Sequence, residues 1–249
     1  MDFIVLVGFI YEIFVIAITF SFVLLASQKY MEFRNTRTFY LFLVFLSILI
    51  GVIFSWSSKL ITLWGPIEYV YNNPDVVYPQ TPMYWFLLRI VDFRFALAFV
   101  AIAAFFTYVF EIYLYEEEFW DTKFIAYIIY TIFTLIFTFT VYERGNTFLD
   151  ALCFLFLFIQ IFVIYVPFMS RVLIEYRSID DSFLKKKLLS LASMSLNFML
   201  VLLSFFIDRV LVLFGVPHFT FFYFLAWIFQ ILAIFSAYVG YIKPRRDNS

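Results

Sequence analysis

One histidine and one cysteine are all the 249 residues contain of the side chains that most often bind metals. Sites built on several His or Cys ligands are therefore excluded, and Cys153 has no intramolecular disulfide partner. Glycine is scarce, at 6 residues, and no Gly-rich phosphate-binding motif occurs. Charged residues make up 14% of the chain and sum to −1, so the basic stripe of a nucleic-acid-binding protein is missing. A Ser–His–Asp arrangement would have to use His218, and no nucleophile-elbow sequence accompanies it. The last apolar stretch has no internal lysine, since Lys243 lies at its end, which removes the attachment point a retinal Schiff base would need. No regular arginine ladder of a voltage sensor is present. These absences predict a protein without catalysis, cofactor or metal.

What remains is largely hydrophobic. Apolar residues reach 65% and the mean hydropathy +0.97, with 39 Phe and 18 Tyr; soluble domains hold about half their residues as apolar. Hydrophobicity recurs in seven stretches, near 3–27, 39–63, 84–114, 122–142, 147–170, 186–214 and 217–242. A hydrocarbon core of about 30 Å needs roughly 20 apolar residues at helical rise. Lipid also forces backbone polar groups to pair within the chain, which favours helices. The expected fold is all-α: one polytopic membrane domain of seven transmembrane helices. Loops are short apart from 64–83, where Gly65-Pro66, Asn72-Asn73-Pro74, Pro79 and Pro82 read as turns.

Charge between the stretches sets direction. Lys29, Arg34, Arg37, Lys123 and the bases at 171–187 and 243–246 fall on one side, against Lys59, Arg144 and Arg209 on the other. The basic side is expected inside, which places the N-terminus outside and the C-terminus inside. Asp2 replaces the basic flank of a signal peptide, so the first stretch reads as a span. The expected location is a prokaryotic cell membrane, with an organellar inner membrane as the alternative.

The chain also echoes itself. Glu12-Ile13-Phe14-Val15-Ile16 in the first span matches Gln160-Ile161-Phe162-Val163-Ile164 in the fifth. Lys59 and Trp64-Gly65 close the second span as Arg209 and Phe214-Gly215 close the sixth. AIAAFFTYV in the third answers ILAIFSAYV in the seventh. The order suits two parallel three-helix repeats joined by the fourth span.

A charge at mid-bilayer costs on the order of 2.5–3.5 kcal/mol, so each one inside a span calls for a reason. Glu12, Arg89, Asp92, Arg94, Asp150, Asp208 and Arg209 fall in the outer parts of different spans. Their near balance suits internal ion pairs that fix register, Arg89 and Asp92 being spaced to pair on one helix face. The functional alternative is an outer vestibule in which these seven hold a small polar ligand. Gln160, Asn197 and Gln230 are mid-span amides, suited to hydrogen bonds between helices or to a midplane transport site. Pro167 is expected to kink the fifth span.

On the inner side, Glu116-Glu117-Glu118 with Asp121 form an acidic patch, and RVLIEYRSIDDSFLKKK spans 171–187. Arg171, Arg177, Lys185, Lys186 and Lys187 either meet anionic headgroups or dock a cytoplasmic partner. The seven-helix layout, with Tyr176-Arg177 and Lys185-Lys186-Lys187-Leu188 entering the sixth span, resembles the sensor modules at the N-termini of some prokaryotic histidine kinases and related receptors. That resemblance implies a receptor whose signal passes to a separate protein, because no effector follows residue 249. It transfers no ligand residue. The leading expectation is thus a receptor-like or partner-binding protein in the lipid bilayer. Two others stand beside it: a small transporter or channel made of the two repeats, and an accessory subunit packed on a larger membrane complex.

Overall fold

The computed structural model describes residues 3–65, 79–115, 120–142 and 145–242, and these contain helices and no strand. Seven helical stretches are long and apolar enough to cross a membrane. In chain order the helices are α1 (Phe3–Phe33), α2 (Thr36–Trp64), α3 (Pro82–Val91), α4 (Arg94–Tyr115), α5 (Thr122–Ile136), α6 (Thr147–Ser178), α7 (Ser182–Leu213) and α8 (Phe221–Ala237). α5 and α8 each run on into one π-wound turn, Phe137–Val141 and Tyr238–Ile242. Polar side chains open most of them: Asn35, Thr81, Asp121, Asn146, Asp181 and Thr220 each accept a backbone N–H of the first turn.

The third span differs from its expected form. Instead of one helix over 84–114, the chain breaks at Asp92–Phe93, with Phe93 in the left-handed region at φ +61°. α4 alone is the span, and α3 is a shorter apolar helix beside it. The connection expected over 171–187 is also mostly helical, since α6 continues to Ser178 and α7 begins at Ser182. Each of these two helices has 32 residues, roughly 48 Å at helical rise, so the pair outreaches a 30 Å core as a hairpin. Pro167 lies inside α6 without ending it. The expectations for Pro66, Asn72–Pro74, Glu116–Glu118, Arg144 and the tail after Ile242 lie outside the described residues.

Six spans form a closed ring. α1 packs on α2, α2 on α4, α4 on α6, α6 on α7, α7 on α8, and α8 returns to α1. α5 stays outside the ring, against α4 and α6. The triplets α1–α2–α4 and α6–α7–α8 therefore occupy corresponding places, as two parallel repeats joined by a fourth span require. Small residues permit the close approaches. At Gly51 of α2, an added Cβ would sit 3.3 Å from the Ala96 carbonyl oxygen on α4. Ala98, Ala101, Ala103 and Ala104 continue the small, buried face of α4. Outward, Ile10, Phe14, Phe20, Ile129, Ile132 and Phe133 are exposed, the surface a bilayer covers.

Candidate functional site: a central cavity beneath two buried charge clusters

The charges foreseen in the outer parts of the spans do gather at one end of the bundle, where α1, α4, α6 and α8 begin and α2, α5 and α7 finish. They form two clusters. The first is centred on Glu12, whose Oε1 accepts from Lys59 Nζ (2.9 Å), Ser55 Oγ (2.8 Å) and the Tyr223 hydroxyl (2.5 Å). Glu12 and Lys59 are both fully buried. Lys59 also donates to the Ser55 carbonyl at 3.2 Å and lies 5.1–5.5 Å from the ring centres of Phe93, Tyr223 and Phe219. Two of those rings, Phe93 and Phe219, belong to residues with left-handed backbones (φ +61° and +60°). Strain of this kind, about 1–3 kcal/mol per residue, persists where surrounding contacts over-determine the position. Gly8 makes room, since a Cβ there would lie 3.2 Å from Lys59 Cε.

The second cluster ties together the other spans. Arg209 Nη1 donates to Asp150 Oδ2 at 3.1 Å, and Arg209 Nη2 lies 3.0 Å from Asp208 Oδ2. The other oxygen of Asp208 accepts both the backbone N–H (2.8 Å) and the hydroxyl (2.7 Å) of Thr220, the cap of α8. Arg94 pairs with Asp92 at 3.5 Å and donates to the Phe139 carbonyl at 3.3 Å, with its guanidinium 4.7 Å from the centre of the Tyr142 ring. Tyr142 lies just beyond the fourth span. Burial, then the neighbouring Asp150 and Asp92 carboxylates, hold its phenol well above its ordinary pKa, against Arg209 and Arg94. It therefore stays protonated.

Arg89 goes elsewhere: it stacks 3.7 Å over Trp85 and donates to the Trp85 carbonyl at 3.1 Å. Of the seven candidates, then, Glu12 joins one cluster, five join the other, and Arg89 stands on α3. Lys59, Ser55, Tyr223, Thr220 and Tyr142 were not foreseen as their partners. One signal was legible: Lys59 and Arg209 matched in the internal echo, and each is the cation of a buried pair.

Beneath the clusters, inside the ring, lies a cavity of about 100 Å³, where roughly 10–15 Å³ suffices for one water. Its wall comes from α2, α4, α6, α7 and α8 and is almost wholly apolar, including Val52, Leu97, Ala104, Leu157, Phe205 and Trp227. Arg209 is the one member of the seven that reaches it, joined by Ser55, Tyr223, Thr107 and Gln230. A polar vestibule lined by all seven is thus replaced by an apolar chamber with a few polar points. The mid-span amides separate. Gln160 holds α5 to the ring through Thr131 (2.9 Å) and the Ala101 carbonyl (3.3 Å), and Asn197 bonds to Ser193 within α7. Gln230 alone lines the cavity.

At the opposite end a groove of about 400 Å³ lies between Lys29, Asn35, Arg37, Leu114 and Tyr241. Lys29 there donates to the Tyr241 carbonyl, and Arg37 Nε to the Tyr113 carbonyl at 3.1 Å. Among the expected docking residues Arg177 and Lys186 are exposed, while Arg171, Lys185 and Lys187 are half-buried. Arg171 faces Glu111 at 3.9 Å, and Lys185 and Lys187 lie near the Tyr176 and Phe183 rings.

Together the seven spans define an integral membrane protein. Compared with family models, curated proteins and solved structures, the chain matches none.

Proposed function

We propose that this chain is a seven-helix receptor-type membrane protein, without catalysis of its own, that binds a small and mostly apolar molecule inside the ring. The observation that carries this reading is the central cavity itself. It is lined by five spans, apolar along its walls, and separate from most of the charged side chains. Ligand sites are usually concave and mostly apolar with a few placed polar groups, and this chamber has that composition. Two of its walls, α6 and α7, continue into the projecting hairpin that carries Arg177 and Lys186. Occupancy of the cavity is relayed along those helices to a separate protein at the inner face, in keeping with the likeness to sensor modules. The N-terminus lies outside, and the membrane is the prokaryotic cell membrane.

The corresponding places of the two triplets favour transport as a second reading, because such repeats recur in transporters. Transport of a polar solute would draw on Gln160 and Asn197, and both are committed to bonds away from the cavity.

The test uses 1-aminoanthracene, an apolar fluorophore, with the protein in lipid nanodiscs. Saturable fluorescence above protein-free discs is expected for the wild type. Ala104→Phe, which fills the cavity, is expected to abolish it while circular dichroism and elution volume stay unchanged. Equal fluorescence from both proteins would overturn the reading.

A further inference from the structure

At the end opposite the charge clusters, the groove of about 400 Å³ is larger than the chamber of about 100 Å³. It lies between the end of α1, the start of α2, the end of α4 and the π-wound turn that follows α8. Small-molecule sites commonly have about 300–1,000 Å³. Its cations are Lys29 and Arg37, and among the described residues no acidic side chain lines it. Glu32, three residues after Lys29, is exposed and stands outside the wall. Both cations are half-buried and held by backbone, Lys29 by the Tyr241 carbonyl and Arg37 Nε by the Tyr113 carbonyl at 3.1 Å. Cations already fixed in this way reduce the ordering that a ligand must impose. Lysine and arginine nitrogens only donate, so the pair selects an acceptor, and their charge selects an anion.

The rest of the wall is apolar and graded in depth. Arg37 stands in the first turn of α2, with Leu41 one turn deeper. Phe33 is exposed and Leu114 half-buried at the rim. Leu41, Phe110 and Tyr241 also wall a space of about 20 Å³. That space shares Thr107, Tyr165 and Phe198 with the chamber. The groove is therefore the mouth of the ring at this end, cationic at the helix ends and apolar along the axis. A bare anion would answer the cations and leave Phe33, Leu41 and Leu114 wet. A neutral alcohol would cover the apolar wall and leave the charges unanswered. A two-chain phospholipid keeps its chains among the lipid outside the ring, whereas this mouth lies within it.

We propose that this groove is a second binding site, for a single-chain amphiphilic anion: an alkyl chain that ends in phosphate or carboxylate. The acidic head pairs with Lys29 and Arg37, and the chain lies on Phe33, Leu41, Phe110 and Leu114. The site goes beyond the receptor-type reading above and stands apart from the chamber.

Titration calorimetry in phosphatidylcholine nanodiscs tests it with hexyl phosphate, inorganic phosphate and 1-hexanol, each measured against protein-free discs. Hexyl phosphate is expected to bind saturably and roughly 10-fold more tightly than either of the others, which is about 1.4 kcal/mol. Lys29→Gln and Arg37→Gln are each expected to weaken it by a similar factor. Leu114→Glu, at the rim, sets a carboxylate beside the head and is expected to weaken it without removing either cation. Ala104→Phe, which fills the chamber, is expected to leave it unchanged. No saturable binding, or equal affinity for inorganic and hexyl phosphate, would overturn the proposal. Binding that survives all three groove variants would overturn its place, and binding lost in Ala104→Phe would move the ligand to the chamber. Native mass spectra from discs containing phosphatidylglycerol are expected to show that lipid retained equally by wild type and Lys29→Gln. Selective retention by the wild type would assign the groove to a two-chain phospholipid and overturn the single-chain ligand.

Discussion

Glu12 and Lys59 show what one residue contributes here. Each is fully buried and each is the other's counterion. Breaking a buried pair by removing one partner typically costs about 3–5 kcal/mol, whereas replacing both with apolar groups is often neutral. Glu12→Leu alone is therefore expected to destabilise strongly, because Lys59 would face only Ser55 and three aromatic rings. Lys59→Met in the same chain should recover most of the loss. Reversible unfolding in bicelles or mixed micelles measures both, and a double variant no better than Glu12→Leu would contradict the pairing. The sequence made Glu12 conspicuous because a carboxylate among Ile and Phe needs a reason. It did not join Glu12 to Lys59, which are 47 positions apart, because only the antiparallel packing of α1 on α2 brings them level. Arg89 and Asp92 show the reverse error. Helical spacing would put them on one face, but α3 ends at Val91 with Asp92 as its cap, and Asp92 pairs with Arg94 across the break at Phe93.

At the level of elements, the seven spans were legible because lipid imposes a length and an apolar composition that few other environments demand. Ends were less so. α1 continues to Phe33 and α6 to Ser178, since helical hydrogen bonding does not stop where hydrophobicity does. The break in the third span left no Pro or Gly signature: it falls at Phe93, a bulky residue in the left-handed region that such residues rarely adopt, with its ring 5.1 Å from Lys59 Nζ. The π-wound ends of α5 and α8 were likewise invisible to a pattern of period 3.6. The echo between spans proved informative at this scale. Lys59 and Arg209 stand near the same end of corresponding helices, and Ala103 and Ala233, matched in the third pair, are both buried. The echo did not align the carboxylates, since Glu12 matches Gln160 while the partner of Arg209 is Asp150.

For the whole molecule, the ring explains why the polar residues sit where they do. The two clusters bind the spans together at one end, the Lys29–Tyr241 contact closes α1 against the end of α8 at the other, and the space between is left apolar. A seven-crossing bundle with its N-terminus outside puts the two ends on opposite sides of the membrane. Cys153 is the sole cysteine and is buried, so single cysteines report topology on a silent background. Trp120→Cys and Phe214→Cys replace side chains that are each 78% exposed. In intact cells an impermeant maleimide is expected to label the variant at 214 and to reach the one at 120 only after lysis. Labelling of both from one side would contradict the crossing number. The cavity is the feature on which the functional account turns, and native mass spectrometry of the protein released from nanodiscs interrogates it most directly. The wild type is expected to carry one small lipophilic molecule per chain, and Ala104→Phe none. A bare wild-type mass, or an adduct that persists in the filled variant, would contradict the account.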